Sequence, residues 1–350
     1  MEKYILNPTP IRTSVNYNIN DIKLDLEIPK YKRFDNISIY TEELDKIEVD
    51  IEESYSGKLT SKIGLEYNKY EKIVITIPKS IKIKNPIVLD YLFDEDNKYL
   101  VDNVEINMGE NSSASFIIHY CDENNVNHYF HQLQQTTKLQ KNSNADIVIA
   151  NLINNTSDSF ISIENDLEEN SKLNHILIEM GGMHKISNYY TSLTGDSSEN
   201  DLKSIYLGTE NDIIDINYNI ETIGKNTKCN IESQGAIDDN SKKSFKGTID
   251  FKEGSKKAVG IENENCMILS NKAKSKSMPV LLCHEEDVNG EHGVSSGKLD
   301  EDKLFYIMTK GISYDDARKL IVKANFNNII NKITNKELKK EIISEIDKKI

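Results

Sequence analysis

Tryptophan is absent from these 350 residues, and there are only four cysteines and six prolines. The cysteines, Cys121, Cys229, Cys266 and Cys283, are far apart and form no CxxC pair. That spacing excludes a disulfide framework and a knuckle-type zinc site, and predicts reduced, buried thiols. No stretch approaches the roughly 18 consecutive apolar residues of a membrane-spanning helix, so no membrane role is expected. The opening MEKYILNPTPIRTSVNYN has no apolar run followed by a small-residue cleavage site, which points to the cytoplasm. Positive charge is also in deficit: 43 Lys and Arg stand against 57 Asp and Glu, a net charge of -14. The lysines are dispersed among acids, which argues against a surface for nucleic acid or anionic lipid.

What is present is a β-forming pattern. The hydrophobic fraction of 37% is enough for a large core, as one elongated domain or as a domain with an appendage. Period-two alternation runs through Ile22, Leu24, Leu26 and Ile28, through Ile47, Val49 and Ile51, and through Ile73, Ile75 and Ile77. Pro8, Pro10, Pro29 and Pro78 fall before or at the ends of such runs, where a missing donor does least harm. Residues 1–85 therefore read as an extended, β-rich N-terminal segment.

From about residue 86 the corners share a chemistry: Asn111-Ser112, Asn142-Ser143, Asn170-Ser171, Ser197-Ser198, Asn226-Thr227, Asn240-Ser241 and Gly254-Ser255. Their first members are about 31, 28, 27, 29, 14 and 14 residues apart, a unit of about 14 doubled to 28. Two short strands and two turns per 28 residues make one coil of a β-solenoid, each coil bonding to the next around a continuous inner column. Phe116 to Ile118, Ile147 to Ile149, Ile161 and Ile163, Ile176 to Ile178, Ile213 and Ile214, Ile249 and Phe251, and Met267 to Leu269 would fill the column. Chance turn spacing in a β-sandwich is the alternative. The expected fold is mainly β, a right-handed parallel β-helix over residues 86–299, with a small C-terminal helical domain over 300–350. A solenoid must protect both ends, and the helices are expected to cover one of them.

Three helices are predicted there. Asp300 caps the first, through Leu304, Phe305 and Met308, with Gly311 as its terminator. Ser313 with Asp316 caps the second, with Ala317, Leu320, Ile321 and Ala324 as an apolar stripe. Thr334 with Glu337 starts the third, with Leu338, Ile342, Ile346 and Ile350 along one face.

Where strand gives way to helix, Glu285 to Gly311 reads EEDVNGEHGVSSGKLDEDKLFYIMTKG. It places His292 in a glycine-rich connection, where the ring either caps the last strand or meets a partner. Gly293-Val-Ser-Ser-Gly297-Lys298 imitates a phosphate loop but has three residues between its glycines where that motif needs four, and Leu299 where a hydroxyl is required. Nucleotide hydrolysis is not expected. His128 and His131, three apart on a strand, face opposite sides and read as structural.

Residues 245–326, with the pattern HGxxxGKLDxxxLFYxMxxGI, resemble the C-terminal half of the SufB/SufD family of iron-sulfur cluster assembly scaffolds. Leu6 to Thr13, LNPTPIRT, is similar to the start of short SufD proteins. The resemblance implies a β-helix with a helical C-terminal domain, working with SufB and the SufC ATPase as a non-catalytic scaffold subunit. SufC would dock on the helical domain, through residues such as Leu304, Phe305, Tyr306 and Gly311. His292 matches a SufD histidine at the SufB interface near the cluster-building site, where imidazole is suited to contacting iron. SufB's cluster cysteine falls at Ala273, which favours the SufD role. The cysteine that many SufD chains carry two positions before the histidine is Gly290 here.

No tightly bound cofactor is expected, only a transient iron or iron-sulfur cluster at a subunit interface. Partnership with a SufB-type chain and partnership with a second copy both stay open. Cys266 and Cys283 read as structural rather than as iron ligands beside His292. The alternatives are a SufB-like scaffold that itself holds the nascent cluster and, more remotely, a solenoid carbohydrate-active enzyme using paired carboxylates.

Overall fold

The computed structural model describes residues 2–8, 19–123 and 127–350. Pro10 and residues 9–13 of the opening resemblance lie outside them.

In chain order the strands are β1 (Glu2–Leu6), β2 (Ile22–Leu26), β3 (Ile37–Tyr40), β4 (Glu48–Thr60), β5 (Glu66–Ile77), β6 (Ile87–Phe93) and β7 (Tyr99–Met108). They continue with β8 (Ser113–Asp122), β9 (Phe130–Leu139), β10 (Asn144–Asn151), β11 (Asp158–Leu167), β12 (Lys172–Glu179), β13 (His184–Leu193) and β14 (Glu199–Gly208). The last are β15 (Ile213–Thr222), β16 (Lys228–Ile237), β17 (Lys242–Phe251), β18 (Val259–Ile268), β19 (Lys274–Cys283) and β20 (Asn289–Lys298). Helices α1 (Glu301–Met308), α2 (Tyr314–Ile330) and α3 (Lys336–Lys349) follow.

From β5 onward successive strands alternate between two sheets, one running β3-β6-β8 to β20 and the other β4-β5-β7 to β19. The chain is thus a β-solenoid of about eight turns. Each strand pairs in parallel with the strand one coil away: Asn144 lies beside Ser113 and Lys172, and Ile213 beside His184 and Lys242. A sandwich with chance turn spacing is excluded by this register.

The corners explain why the register holds. Asn111, Asn142, Asn170, Ser197 and Asn226 all adopt the left-handed backbone at φ between 56 and 61°, and Gly254 does so at 94°. Asn tolerates this conformation better than most side chains because its short amide bonds locally. At the sixth corner the left-handed residue is Asp239 (φ 49°), one position before the expected Asn240. The Ser or Thr that follows each corner residue is buried. Ser143, Ser171, Ser198 and Ser255 each donate a hydroxyl to the carbonyl three residues back, at 2.6–2.8 Å. Each left-handed residue then donates its N-H to the next coil's corner: Asn111 to Lys141, Asn142 to Glu169, Asn170 to Asp196, Ser197 to Lys225 and Asn226 to Lys256.

Alternate residues fill the column as expected, with an aromatic run through Tyr189, Tyr218 and Phe245 at centroid spacings of 5.9 and 5.7 Å. The outer face of the β6-to-β20 sheet is also apolar. Ile117, Val148, Ile176, Ile178, Met267 and Leu269, read from sequence as column residues, face outward and pack with Ile205 and Leu207 beside Phe326, Ile329 and Ile342 of α2 and α3, while Ile213, read likewise, faces outward from the other sheet. Only Leu177 between Ile176 and Ile178 points inward. The helices therefore lie along the side of the solenoid and do not cover its last coil. Their own patterning shifts to match. In α2 Val322, Phe326, Ile329 and Ile330 are buried, whereas Leu320 and Ala324 of the expected stripe are exposed. The α3 cap is Asn335, whose side chain accepts from Leu338 N at 2.9 Å, and not Thr334.

At the other end, β3 and β4 run antiparallel to β6 and β5 and close both sheets. The β1-β2 hairpin lies against the outside of the second sheet, where Leu6, Leu24 and Leu26 pack with Phe130 and Phe160. Asn7 and Asn20 pin it there by donating to the Asp215 carboxylate at 2.8 and 2.9 Å.

If the left-handed corners set the register, a β-branched residue at one of them is costly. Asn170→Val is expected to lower unfolding free energy by about 1–2 kcal/mol. Urea denaturation checks this, and an unchanged midpoint would remove the corner from the account.

Candidate functional site at the open end

The last coil, β19 and β20, differs from every other. Nothing pairs with the outer edge of either strand among the described residues, and all of β20 except half-buried Gly293 is exposed. The segment read from sequence as a glycine-rich connection is in fact this final strand. Gly290, Gly293 and Gly297 weaken its intrinsic β-propensity, and the ladder on β18 imposes the conformation. The resemblance to a phosphate loop disappears with it, because successive N-H groups of a strand point in opposite directions and cannot converge on an anion.

Register sets the direction of each side chain. Asn289 and Leu299 donate their N-H groups back toward β18, so Gly290, His292, Val294, Ser296 and Lys298 present theirs at the free edge. These residues also face the column: a Cβ on Gly290 would meet Leu281 and Phe251 at 3.1 Å, and Ser296 Oγ lies 3.1 Å from Ser275 Oγ of β19. His292 thus sits mid-strand, exposed, at the mouth of the solenoid and in register with buried Glu262 of β18. On β19, Lys274 and His284 donate to β17, which leaves Pro279 with its missing donor on the free edge, where a proline costs no internal hydrogen bond.

Beneath this mouth the column turns polar, which sequence reasoning missed. Glu262 is wholly buried, its carboxylate near the Val280 amide but in well-aligned hydrogen-bond geometry with no group, directly over Gly247, whose absent Cβ would lie 2.0 Å from Glu262 Oε1. Burial, offset in part by the Val280 amide, pushes its pKa up to about 8. Alongside, Lys243 Nζ pairs with Glu264 Oε1 at 2.6 Å, both side chains fully enclosed. Ser277 of β19 accepts from Lys243 at 2.7 Å and donates to Glu264 Oε2 at 2.9 Å. Tyr206, two coils back, reaches across Gly235 to donate to Glu264 as well. The available signal was parity: Lys243 shares the face of Phe245, Ile249 and Phe251, and Glu262 and Glu264 that of Cys266.

The thiols divide. Cys266 is buried, and burial raises its pKa. Cys283, expected to be buried, is exposed at the end of β19 because no further coil covers it. Ala273 is half-buried against the core beside the turn into β19. At this mouth no three His, Cys, Asp or Glu groups among the described residues converge within 4.8 Å. The end coil alone therefore offers donors without a complete metal cage. His128 and His131 are separated, though not as opposite faces of one strand: His131 lies on β9, buried with its ring centroid 4.0 Å from that of Tyr120, while His128 precedes β9 and is exposed near Asp158.

Beyond β20, Asp300 caps α1 by accepting from Lys303 N at 3.0 Å, and Gly311 takes φ 85° where the chain turns into α2. Leu304 is buried, whereas Phe305 and Tyr306 are 69% and 63% exposed. With Met308 and Tyr314, Phe305 borders a depression of about 480 Å³ against Leu269 and Leu299.

Comparison with known proteins places relatives beside this chain. The profile described as "SUF system FeS cluster assembly, SufBD core domain" matches residues 91–325. The chain is 24% identical over 278 residues to the iron-sulfur cluster assembly protein SufD of Bacillus subtilis, covering 78% of this chain and 63% of that protein. It is 23% identical over 250 residues to SufD of Escherichia coli, covering 70% and 58%. It is also 24% identical over 263 residues to a SufBD family protein of Methanocaldococcus jannaschii, covering 74% and 82%. The chain spans less than two thirds of the length of both SufD relatives.

The buried carboxyl at the mouth makes stability depend on pH. The folded protein holds the Glu262 proton up to about pH 8, the unfolded chain only to about 4.5. Its contribution is therefore fully present below the lower value and is lost as pH rises through the upper one. Glu262→Gln removes this dependence, so wild type should lose stability relative to the variant by up to about 1.4 kcal/mol per pH unit between pH 5 and 8. Parallel denaturation profiles for the two proteins would contradict the assignment.

Proposed function

Because the chain belongs to the SufBD core family of the SUF iron-sulfur cluster assembly system, we propose that it acts as a SufD-type, non-catalytic scaffold subunit of a cytoplasmic assembly complex. The observation that carries this reading is the uncovered last coil, whose two free strand edges flank His292. Unpaired edges of this length are templates for another chain, and soluble proteins that are monomeric usually block them. The occupant is a SufB-type scaffold, with a second copy of this chain as the alternative. In either pairing the partner completes a donor set that this mouth leaves incomplete.

The cargo is iron or a nascent iron-sulfur cluster, held transiently at that junction. His292 contributes a neutral imidazole nitrogen, a suitable iron donor. The SufB-like alternative, in which this chain holds the cluster itself, is disfavoured by Ala273, whose methyl group cannot ligate iron. A SufC-type ATPase docks on α1 and the start of α2, through Phe305 and Tyr306, with Leu304 anchoring the helix from below and Gly311 setting the turn. ATP hydrolysis belongs to that partner.

Deleting residues 300–350 would also strip the cover from the outer sheet face, so point variants test docking more cleanly. Phe305→Ala with Tyr306→Ala is expected to fold normally and to weaken capture of the cognate SufC at least tenfold. Undiminished co-elution would refute the docking assignment. His292→Ala is expected to leave the complex assembled while impairing cluster production, measured as iron-enzyme maturation in cells. Normal maturation would remove His292 from the mechanism.

A further inference from the structure

A second group of donor side chains lies far from the mouth, on the outer face of the β6-to-β20 sheet near the closed end. His119 and Cys121, two apart on β8, necessarily share that face, since Phe116, Ile118 and Tyr120 point into the column. Asp90 of β6 is the register partner of His119, with Oδ1 2.9 Å from His119 Nδ1. One donor atom from each of Asp90, His119 and Cys121 lies within 4.8 Å of the others. The other ring nitrogen, Nε2, lies 3.3 Å from Glu341 Oε1 on α3, which passes over the group.

The imidazole thus meets Asp90 through Nδ1, while its buried Nε2 makes no hydrogen bond although Glu341 Oε1 lies 3.3 Å away. We propose that Asp90, His119 and Cys121 form a site for a single divalent transition-metal ion of the zinc or ferrous type, beneath α3. Three protein donors of mixed O, N and S type leave a fourth position to water. Hard cations such as magnesium and calcium are disfavoured by the thiol and the imidazole.

Burial lowers the His119 pKa, but Asp90 and Glu341 outweigh it and bring it up to about 9. Burial, then Asp90 and Glu341, raises the Cys121 thiol to about 12. Because Asp90 and Glu341 are each about two-fifths exposed, at 40% and 41%, the ion has a path in. The proposal does not depend on the scaffold reading.

The test uses the full chain, freed of metal and titrated with Co²⁺. One equivalent should produce a thiolate-to-cobalt charge-transfer absorption, bleached by Zn²⁺. Cys121→Ser should abolish the band while Cys283→Ser, which removes the exposed thiol, leaves it intact. Asp90→Asn, at a side chain exposed enough not to threaten folding, should weaken Co²⁺ binding at least tenfold. No charge-transfer band, a band that survives Cys121→Ser, or one lost with Cys283→Ser would overturn the site.

Discussion

The hydrogen bond from one left-handed corner to the next is the constraint on which the rest of this structure depends. Strand pairing alone does not fix register when both faces of a sheet are buried, because a slip by one residue would exchange two apolar surfaces for each other. Here the corner N-H groups of Asn111, Asn142, Asn170, Ser197 and Asn226 reach fixed carbonyls one coil on, and the buried hydroxyls of Ser143, Ser171 and Ser198 close the turns they follow. The corner thereby decides which of two neighbouring side chains enters the column. Leu177 goes in and Ile176 and Ile178 go out to meet α2 and α3.

The two ends then follow different logic. At the start, strand direction reverses in β3 and β4, and the antiparallel edges finish the sheets. At the finish, direction is kept through β20, and the helices that could have covered the last coil turn back along the outer face. Arg318 bonds Asp238, and Lys349 bonds the Met180 carbonyl at 2.6 Å, tying the helices to the middle of the solenoid. The chain therefore uses its covering material on the side and leaves the mouth open. The polar column beneath belongs to the same design: Glu262 and the Lys243–Glu264 pair are enclosed by a coil that has lost its own outer neighbour.

Much of this was readable from residue spacing. The repeat length, the corner chemistry, the caps at Asp300 and Ser313 and the apolar face of α3 all rest on local rules, and the structure follows them. Three features were not readable, for physical reasons. Periodicity cannot separate inward from outward residues when both are apolar, which hid the helix-covered face. Glycine content argued against a strand at Gly290 to Gly297, where tertiary pairing overrode propensity. The polar column required knowing that Lys243 and Glu264 meet across a lumen, a contact that no sequence interval encodes. For His292 the sequence marked the neighbourhood, while its exposure at the mouth in register with Glu262 came only from the ladder.

An open mouth and a covered flank divide the labour in one molecule. Pairing through strand edges is directional and long, so it fixes a partner's orientation as well as its identity, which a patch of side chains alone would do less well. The docking proposed at α1 would use the opposite kind of surface, two exposed aromatic rings on a short capped helix. Since α1 follows β20 directly, a force applied at Phe305 and Tyr306 reaches the strand that carries His292 through two residues, Leu299 and Asp300. A mechanical partner there would act on the mouth without deforming the solenoid, whose corners hold each coil to its neighbours.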